Sequence, residues 1–229
     1  MTRPTINYFS DVLCIWSYIS QIRLEQLARE YEGRIDINEQ FVSVFPDART
    51  KTAATWKDKG GYESMNKLFQ RLSRKYDHIT VHPDVWTVTQ PLTSTVVHQT
   101  LKAFQAAGLE DGDAGLPYIE TLGARAIKRF REAFFAEARD ISNWEVQAEL
   151  AEQIGVDPSR IEAKRRSGEA AALLDADLKH AESLGVKGSP TFVMNEGRQV
   201  LYGNVGYKLI QANVEELFRE PGEDAASWC

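Results

Sequence analysis

The sequence has few cysteines, no long apolar run and no excess of positive charge. Its 229 residues include two cysteines, Cys14 and Cys229, too few for a disulfide framework or a cysteine-rich zinc site. The longest uncharged run, from Val85 to Leu101, contains Pro91 and many polar residues, so it does not predict a membrane span.

The charge balance also excludes some functions. Lys and Arg total 27 and Asp and Glu total 33, a net charge of -6. This balance argues against a nucleic-acid partner or an anionic membrane surface. The chain starts Met-Thr-Arg-Pro-Thr and leads into a strand-like segment without an apolar signal core, so we expect a cytoplasmic protein.

Both ends of the chain predict strands. The pattern of Thr5 to Phe9 is typical of a strand, that of Cys14 to Tyr31 of a helix, and Ile35 to Val44 alternates apolar with polar residues. A crossover helix between two strands predicts that they are parallel. Near the other end, Ser189–Met194 and Gln199–Tyr202 predict a hairpin, and a last helix follows at Lys208–Arg219.

The middle of the chain is predicted to be helical after a polar connection, Asp47–Gly61. We expect helices at Tyr62–Arg74, Ser94–Ala107, Tyr118–Ala138, Trp144–Ile154, Arg160–Ser167 and Glu169–Leu184. Ser142 and Glu145 have capping-box spacing, and Asp157 before Pro158 suits a helix start. We expect helices to end at Gly108, Gly155 and Gly185, because a residue that tolerates positive φ is favoured there. The whole pattern, β–α–β, helical block, β–β–α, predicts an α/β fold.

Two segments carry a family resemblance. Phe9-Ser10-Asp11-Val12-Leu13-Cys14-Ile15-Trp16-Ser17-Tyr18 resembles the active-site segment of the DsbA family, closest to its FrnE-like branch, and Leu184-Gly185-Val186-Lys187-Gly188-Ser189-Pro190-Thr191-Phe192 resembles that family's cis-proline loop. The resemblance implies a thioredoxin-like fold with a large all-helical insertion. Residues 1–45 and 185–220 would form the thioredoxin-like domain, 62–184 the insertion, and 221–229 a polar tail.

Cys14 is the candidate nucleophile. A cysteine in the first turn of a helix lies near unpaired N–H groups and the positive end of the helix dipole, which favour the thiolate. We therefore expect its pKa to be lowered, although burial among Val12, Leu13 and Ile15 acts in the opposite direction. The alternative is an inert core cysteine.

Ser17 departs from the family pattern. Members that shuttle disulfides alone have a second cysteine here, so the Cys-Ile-Trp-Ser motif implies a single active-site thiol. An external thiol such as glutathione would then resolve the mixed disulfide, and Ser17 would stabilise the Cys14 thiolate. Ser17 is also similar to the serine that orients the glutathione sulfur in kappa-class glutathione transferases and 2-hydroxychromene-2-carboxylate isomerases. Alternatively, Ser17 only fills space.

The resemblance assigns substrate-binding roles as well. The Ser189–Pro190 bond would be cis, and the backbone of Ser189 would pair with an extended peptide or with glutathione. Ile15 and Trp16 would form an apolar lip. The Gly203–Tyr207 turn has no carboxylate to hold the amine of glutathione, which counts against tight glutathione binding.

No metal or tightly bound cofactor is expected. His78 and His82 have ligand-like spacing, but their neighbours predict an extended loop. Cys229 could resolve a Cys14 mixed disulfide or link two chains, and the alternative is that it is incidental. We expect a monomer or a homodimer.

Three functions remain open from the sequence. The first is a thiol–disulfide oxidoreductase of the DsbA/FrnE type, whose substrate is a disulfide-containing protein or a small thiol. The second is a glutathione-dependent transferase or isomerase for a small hydrophobic molecule. The third is a non-catalytic peptide-binding module that uses the cis-proline groove.

Overall fold

The computed structural model describes residues 3–219, so Cys229 and the predicted polar tail lie outside the described residues. The strands are β1 (Thr5–Ser10), β2 (Asp36–Phe41), β3 (Thr191–Met194) and β4 (Gln199–Tyr202). The helices are α1 (Ile15–Glu30), α2 (Ala48–Trp56), α3 (Gly61–Lys75), α4 (Thr95–Glu110), α5 (Leu122–Phe135), α6 (Trp144–Ile154), α7 (Pro158–Arg166), α8 (Glu169–Ser183) and α9 (Tyr207–Glu216).

The four strands form one sheet in the order β2-β1-β3-β4. β1 pairs in parallel with β2, as the crossover helix predicted, and antiparallel with β3, which pairs antiparallel with β4. Helices α2 to α8 lie between β2 and β3 in the chain. The predicted fold class, thioredoxin-like with a helical insertion, is confirmed.

Two large apolar clusters support this arrangement. One packs α1 and α9 against the sheet and includes Ile6, Leu24, Phe192 and Ile210. The other fills the helical block and extends to the start of α1, where Leu13, Ile15 and Tyr18 belong to it. The beginning of α1 is therefore held by the insertion as well as by the sheet.

Three local predictions are wrong. The segment predicted as a polar connection contains α2, whose N-cap Asp47 accepts a hydrogen bond from the backbone N–H of Thr50. Gly108 does not end a helix, because α4 continues through it to Glu110. The cap of α6 is Asn143, which accepts from the N–H of Glu145, in place of the predicted Ser142.

β2 is shorter than the predicted Ile35–Val44, and its pattern is different. Its last three residues, Glu39, Gln40 and Phe41, are all buried. The alternation of buried and exposed residues fails there because the polar side chains have buried partners. Arg131 pairs with Glu39, and Asp177 accepts hydrogen bonds from the side chain of Gln40 and the N–H of Phe41.

Candidate active site

The sheet topology brings the two segments of interest together. β1 and β3 are antiparallel with Phe9 opposite Thr191, so the residues that follow β1 lie beside those that precede β3. Cys14 follows β1 as the N-cap of α1, and the Ser189–Pro190 peptide bond before β3 is cis. The pairing thus joins the strand–Cys–helix segment to the proline loop.

Cys14 faces this loop. Its Sγ donates a hydrogen bond to the carbonyl oxygen of Ser189 at 3.3 Å, and its backbone N–H donates to the carbonyl of Asp11 at 3.1 Å. The side chain is buried, with 7% of the residue surface exposed. A ligand would therefore meet the sulfur beside the Ser189 backbone.

Ser17 lies in the first turn of α1 and contacts the same loop. Its Oγ is 2.5 Å from the Oγ of Ser189, and the N–H of Asp11 donates to that Ser189 oxygen at 2.8 Å. Ser17 is fully buried. The two hydroxyls thus connect the helix start, the turn before it and the proline loop.

The expected lowering of the Cys14 pKa is wrong for this resting structure. Burial raises the pKa of the thiol and the Asp11 charge adds to the rise, whereas hydrogen bonds from Ser17 and the Ser189 side chain oppose it. The bond from Sγ to a carbonyl also favours the protonated form, because a carbonyl accepts but cannot donate. Desolvation outweighs the helix terminus because the sulfur is so little exposed.

The two residues predicted to form an apolar lip differ in exposure. Trp16 is 37% exposed and can contact a ligand. Ile15 is 5% exposed and packs in the large cluster of the helical block, so its placement in the lip is wrong. Successive residues of a helix point about 100° apart, and here one points to the core and the other to solvent.

Asp11 is a residue of the candidate site that the sequence patterns did not indicate. Its buried carboxylate accepts hydrogen bonds from the N–H groups of Leu13, Val44 and Phe45 at 2.9, 3.0 and 3.0 Å, and from Ser94 Oγ at 2.8 Å. One side chain thus fixes the Cys14 turn, the loop after β2 and the start of α4. An aspartate whose carboxylate can accept the backbone N–H two residues later is a local sequence signal for such a turn.

His98 of α4 completes this buried group. Its Nε2 accepts the N–H of Val12 at 3.1 Å and lies 3.7 Å from Asp11 Oδ1. Burial lowers the pKa of the imidazole, although the Asp11 charge acts in the opposite direction. The ring is therefore neutral, and no sequence pattern pointed to it.

A second group of buried polar side chains lies near the first turns of α1. Arg131 of α5, fully buried, donates to Glu39 at 3.0 Å, to Ser10 Oγ at 2.7 Å and to Gln21 at 3.2 Å. Tyr118 donates to the other oxygen of Glu39. This group joins β1, β2, α1 and α5 beside the turn that contains Cys14.

The turn after β4 supports the proline loop. Gly203, with a φ of 87°, donates its N–H to the carbonyl of Pro190 at 2.8 Å. The neighbouring Asn204 side chain accepts from Arg23. The charged side chain bonded to Asn204 is therefore a cation. It does not replace the carboxylate that the Gly203–Tyr207 turn lacks.

Other features of the described chain are less informative. Within residues 3–219, no group of three or more His, Cys, Asp or Glu side chains could hold a metal ion, and no helix is long and apolar enough to cross a membrane. His78 bonds to the carbonyl of Ile19 and His82 to the N–H of Asp84. Clefts of about 750 and 680 Å³ lie elsewhere, and neither is lined by Cys14.

The fold and the site together define a thioredoxin-like protein with a cysteine at a helix start facing a cis-proline loop. The model of the DSBA-like thioredoxin domain matches residues 5–215. The chain belongs to this family.

Solved structures show the same fold. A probable DsbA oxidoreductase from Streptomyces coelicolor has a TM-score of 0.73 and 17% identity, with 96% of this chain and 93% of that one covered. The cytosolic disulfide reductase DsbM from Pseudomonas aeruginosa with GSH has a TM-score of 0.66 and 21% identity, covering 94% and 100%. A 2-hydroxychromene-2-carboxylate isomerase has a TM-score of 0.62 and 18% identity, covering 93% and 95%. No curated protein matches significantly.

Proposed function

We propose that the protein is a thiol–disulfide oxidoreductase in which Cys14 is the single active-site thiol. The observation that carries the proposal is the position of Cys14 Sγ, 3.3 Å from the carbonyl of Ser189 in the loop that precedes β3. A peptide that pairs with the Ser189 backbone would bring its disulfide to this sulfur. Trp16 would contact the same substrate.

The reaction runs in three exchanges. The Cys14 thiolate attacks a substrate disulfide, which forms a Cys14–substrate disulfide and releases the other substrate sulfur as a thiolate. An external thiolate then attacks the Cys14 sulfur and releases the second substrate thiol. A second external thiol restores Cys14 and leaves with the first as a disulfide. The substrate disulfide is reduced, and two external thiols are oxidised.

Substrate binding would also activate the sulfur. In the resting site, the Ser189 carbonyl accepts from the Cys14 thiol. A substrate N–H that pairs with this carbonyl competes for it, so the protonated form of Cys14 loses its acceptor. Ser17 would then stabilise the thiolate, since a hydroxyl donates well to an anionic sulfur.

The external thiol in this proposal is a small molecule such as glutathione, used as a co-substrate and not held tightly. A cytoplasmic location would supply it, because cytoplasmic thiols are kept reduced. Ser17 cannot resolve the mixed disulfide, so the reaction depends on this supply.

The test is reduction of a peptide–glutathione mixed disulfide in a Cys229→Ser background. Cys14→Ser is expected to abolish turnover, and Ser17→Ala to slow it about tenfold, the effect of one hydrogen bond to a charged group. Ser20→Ala is the matched control, because its buried hydroxyl has no hydrogen-bond partner in the described chain. Undiminished turnover in Cys14→Ser would refute the proposal, and no turnover in any variant would favour a peptide-binding module.

A second candidate is a glutathione-dependent transferase or isomerase. The specific observation in its favour is the pair of hydroxyls, Ser17 and Ser189, beside a cysteine that is itself a buried thiol. These hydroxyls could donate to the sulfur of bound glutathione. Saturating glutathione should then raise the melting temperature, because a ligand of the native state stabilises it by mass action. We expect a small shift, and a large shift at micromolar glutathione would reverse this ranking.

A further inference from the structure

Positive charge is concentrated in one segment of this acidic protein. Residues 49–75, which include α2 and α3, contain eight Lys and Arg and two acidic residues, a net charge of +6 in a chain whose total is -6. The segment therefore has the opposite sign to the rest of the molecule. Such a local field attracts anions and raises their association rate.

Four of these eight cations line a cleft. A cavity of about 680 Å³ between α2 and α3 is lined by Trp56, Lys59, Lys67, Arg71 and Arg74, together with two polar side chains. Three of the cations follow one another at positions i, i+4 and i+7 of α3, so they share one face of the helix. The opposite face of α3 is buried in the core, which fixes the cationic face outwards.

The four cations have no acidic partner in the part of the chain that the structure describes. Within residues 3–219, none of Lys59, Lys67, Arg71 and Arg74 forms an ion pair, whereas cations elsewhere, such as Arg160 between Glu110 and Asp111, do. Lys59 Nζ lies 5.9 Å from the centre of the Trp56 ring. The cleft thus offers unneutralised cations beside an aromatic surface.

A short chain of contacts links α3 to the candidate active site. Tyr76 directly follows α3, and its hydroxyl accepts from the side chain of Asn204 at 3.0 Å. The adjacent Gly203 donates to the carbonyl of Pro190 at 2.8 Å. The helix that carries the cations is therefore fixed to the loop that faces Cys14.

We propose that this cleft binds an acidic segment of the protein substrate whose disulfide Cys14 attacks. The proposal rests on the proposed function and adds a substrate class to it. Lys67 and Arg74 are seven residues apart in α3, about 10 Å along its axis, which an extended peptide spans in about three residues. Acidic residues at such spacing would face the cations. A long nucleic acid would extend beyond the cleft and would be repelled by the acidic remainder of the molecule.

The test uses two peptide–glutathione mixed disulfides that differ only in their flanks, one with Asp and Glu and the other with Asn and Gln. We expect the acidic peptide to react with a kcat/KM about tenfold higher in 50 mM salt, a ratio that salt near 0.5 M removes, as for steered association. Arg71→Glu should reduce the ratio to below about two, because a charge reversal in the cleft repels the acidic flank.

Lys208→Glu is the matched control. It changes the net charge equally at an exposed position of α9 outside the cleft, and it should keep the wild-type ratio. Arg71→Glu is also expected to fold, because the introduced carboxylate lies one turn from Lys67 and Lys75. Equal reduction of the ratio by both variants, or no preference for the acidic peptide, would overturn the proposal.

A binding measurement separates this proposal from the proposed function. Fluorescence anisotropy of a cysteine-free acidic peptide should show binding to Cys14→Ser as well as to the wild-type protein, and weaker binding to Arg71→Glu. Binding without any disulfide reduction would refute the oxidoreductase and leave the cleft as an acidic-peptide site. Equal binding of an oligonucleotide of the same charge would show a non-specific polyanion surface and overturn the proposal.

Discussion

At the residue scale, the state of the Cys14 sulfur depends on opposing effects. The N-cap position and the Ser17 hydroxyl favour the thiolate, whereas burial, the Ser189 carbonyl and the Asp11 charge favour the thiol. The second group wins in the resting structure. Cys14 is therefore a thiol in the resting structure, and under the proposed function a ligand would have to change the surroundings of the sulfur.

This balance predicts how alkylation of Cys14 depends on pH. Because the pKa of the thiol is raised, the iodoacetamide rate in a Cys229→Ser background should keep increasing beyond pH 8.5, the ordinary value for cysteine, by about tenfold per pH unit. A plateau below about pH 7.5 would show a lowered pKa and contradict the resting geometry. No labelling of the native protein would contradict the role of Cys14 as nucleophile.

Asp11→Asn tests the cause of the shift. Removal of the negative charge should lower the pKa of Cys14 and speed alkylation at pH 8. The variant should also lose about 1–3 kcal/mol of unfolding free energy, because the introduced NH2 group faces N–H donors. Ser94→Ala removes one of the four hydrogen bonds to Asp11 but no charge. It should lower stability without speeding alkylation.

At the element scale, the α4 glycine shows how a tertiary contact overrides helix propensity. Gly108 lies inside α4, and a Cβ at this position would overlap the carboxylate of Asp113. That carboxylate accepts from the N–H of Leu122 at 2.7 Å, at the first residue of α5. The glycine therefore allows the α4–α5 connection to fold back closely.

Gly108→Ala is expected to destabilise the protein by about 1–3 kcal/mol, the usual effect of overpacking. Propensity alone would predict a gain of about 1 kcal/mol for Ala over Gly. Urea denaturation measures the difference. In an Asp113→Ala background, the same substitution should cost much less, because the obstructing carboxylate is gone, and an equal cost in both backgrounds would exclude the contact as the cause.

At the scale of the whole molecule, the Arg131–Glu39 pair connects the insertion to the sheet. Arg131 lies in α5, and its fully buried guanidinium reaches Glu39 of β2 and Ser10 at the end of β1. Asp11 makes a similar connection from the turn before α1 to α4. The helical block and the sheet are thus joined by buried polar groups next to the turn that contains Cys14.

Arg131→Met should lower the unfolding free energy by about 3–5 kcal/mol, because it leaves the Glu39 carboxylate buried without its cation. Arg131→Met combined with Glu39→Gln should recover part of this loss, since the charge is removed together with its partner. Denaturant unfolding of the two variants gives the comparison. A single variant that loses less than about 1 kcal/mol would show that water reaches Glu39.

Much of this architecture follows from local sequence patterns. Alternating apolar residues, helical stripes and the Asp157–Pro158 start predicted most elements, and α6 and β4 have the predicted bounds. The cysteine at a helix start and the Ser-Pro strand start also stand out locally. Signals of this kind are readable because they depend on neighbours in the chain.

The electrostatic state of the site was decided by the tertiary structure. Asp11, His98, Arg131 and Glu39 come from four separate parts of the chain, and only packing shows that they are buried together near Cys14. Burial reversed the predicted shift of the Cys14 pKa and moved Ile15 from the lip into the core. A sequence shows which groups ionise, but their desolvation and partners depend on the residues that the fold brings around them.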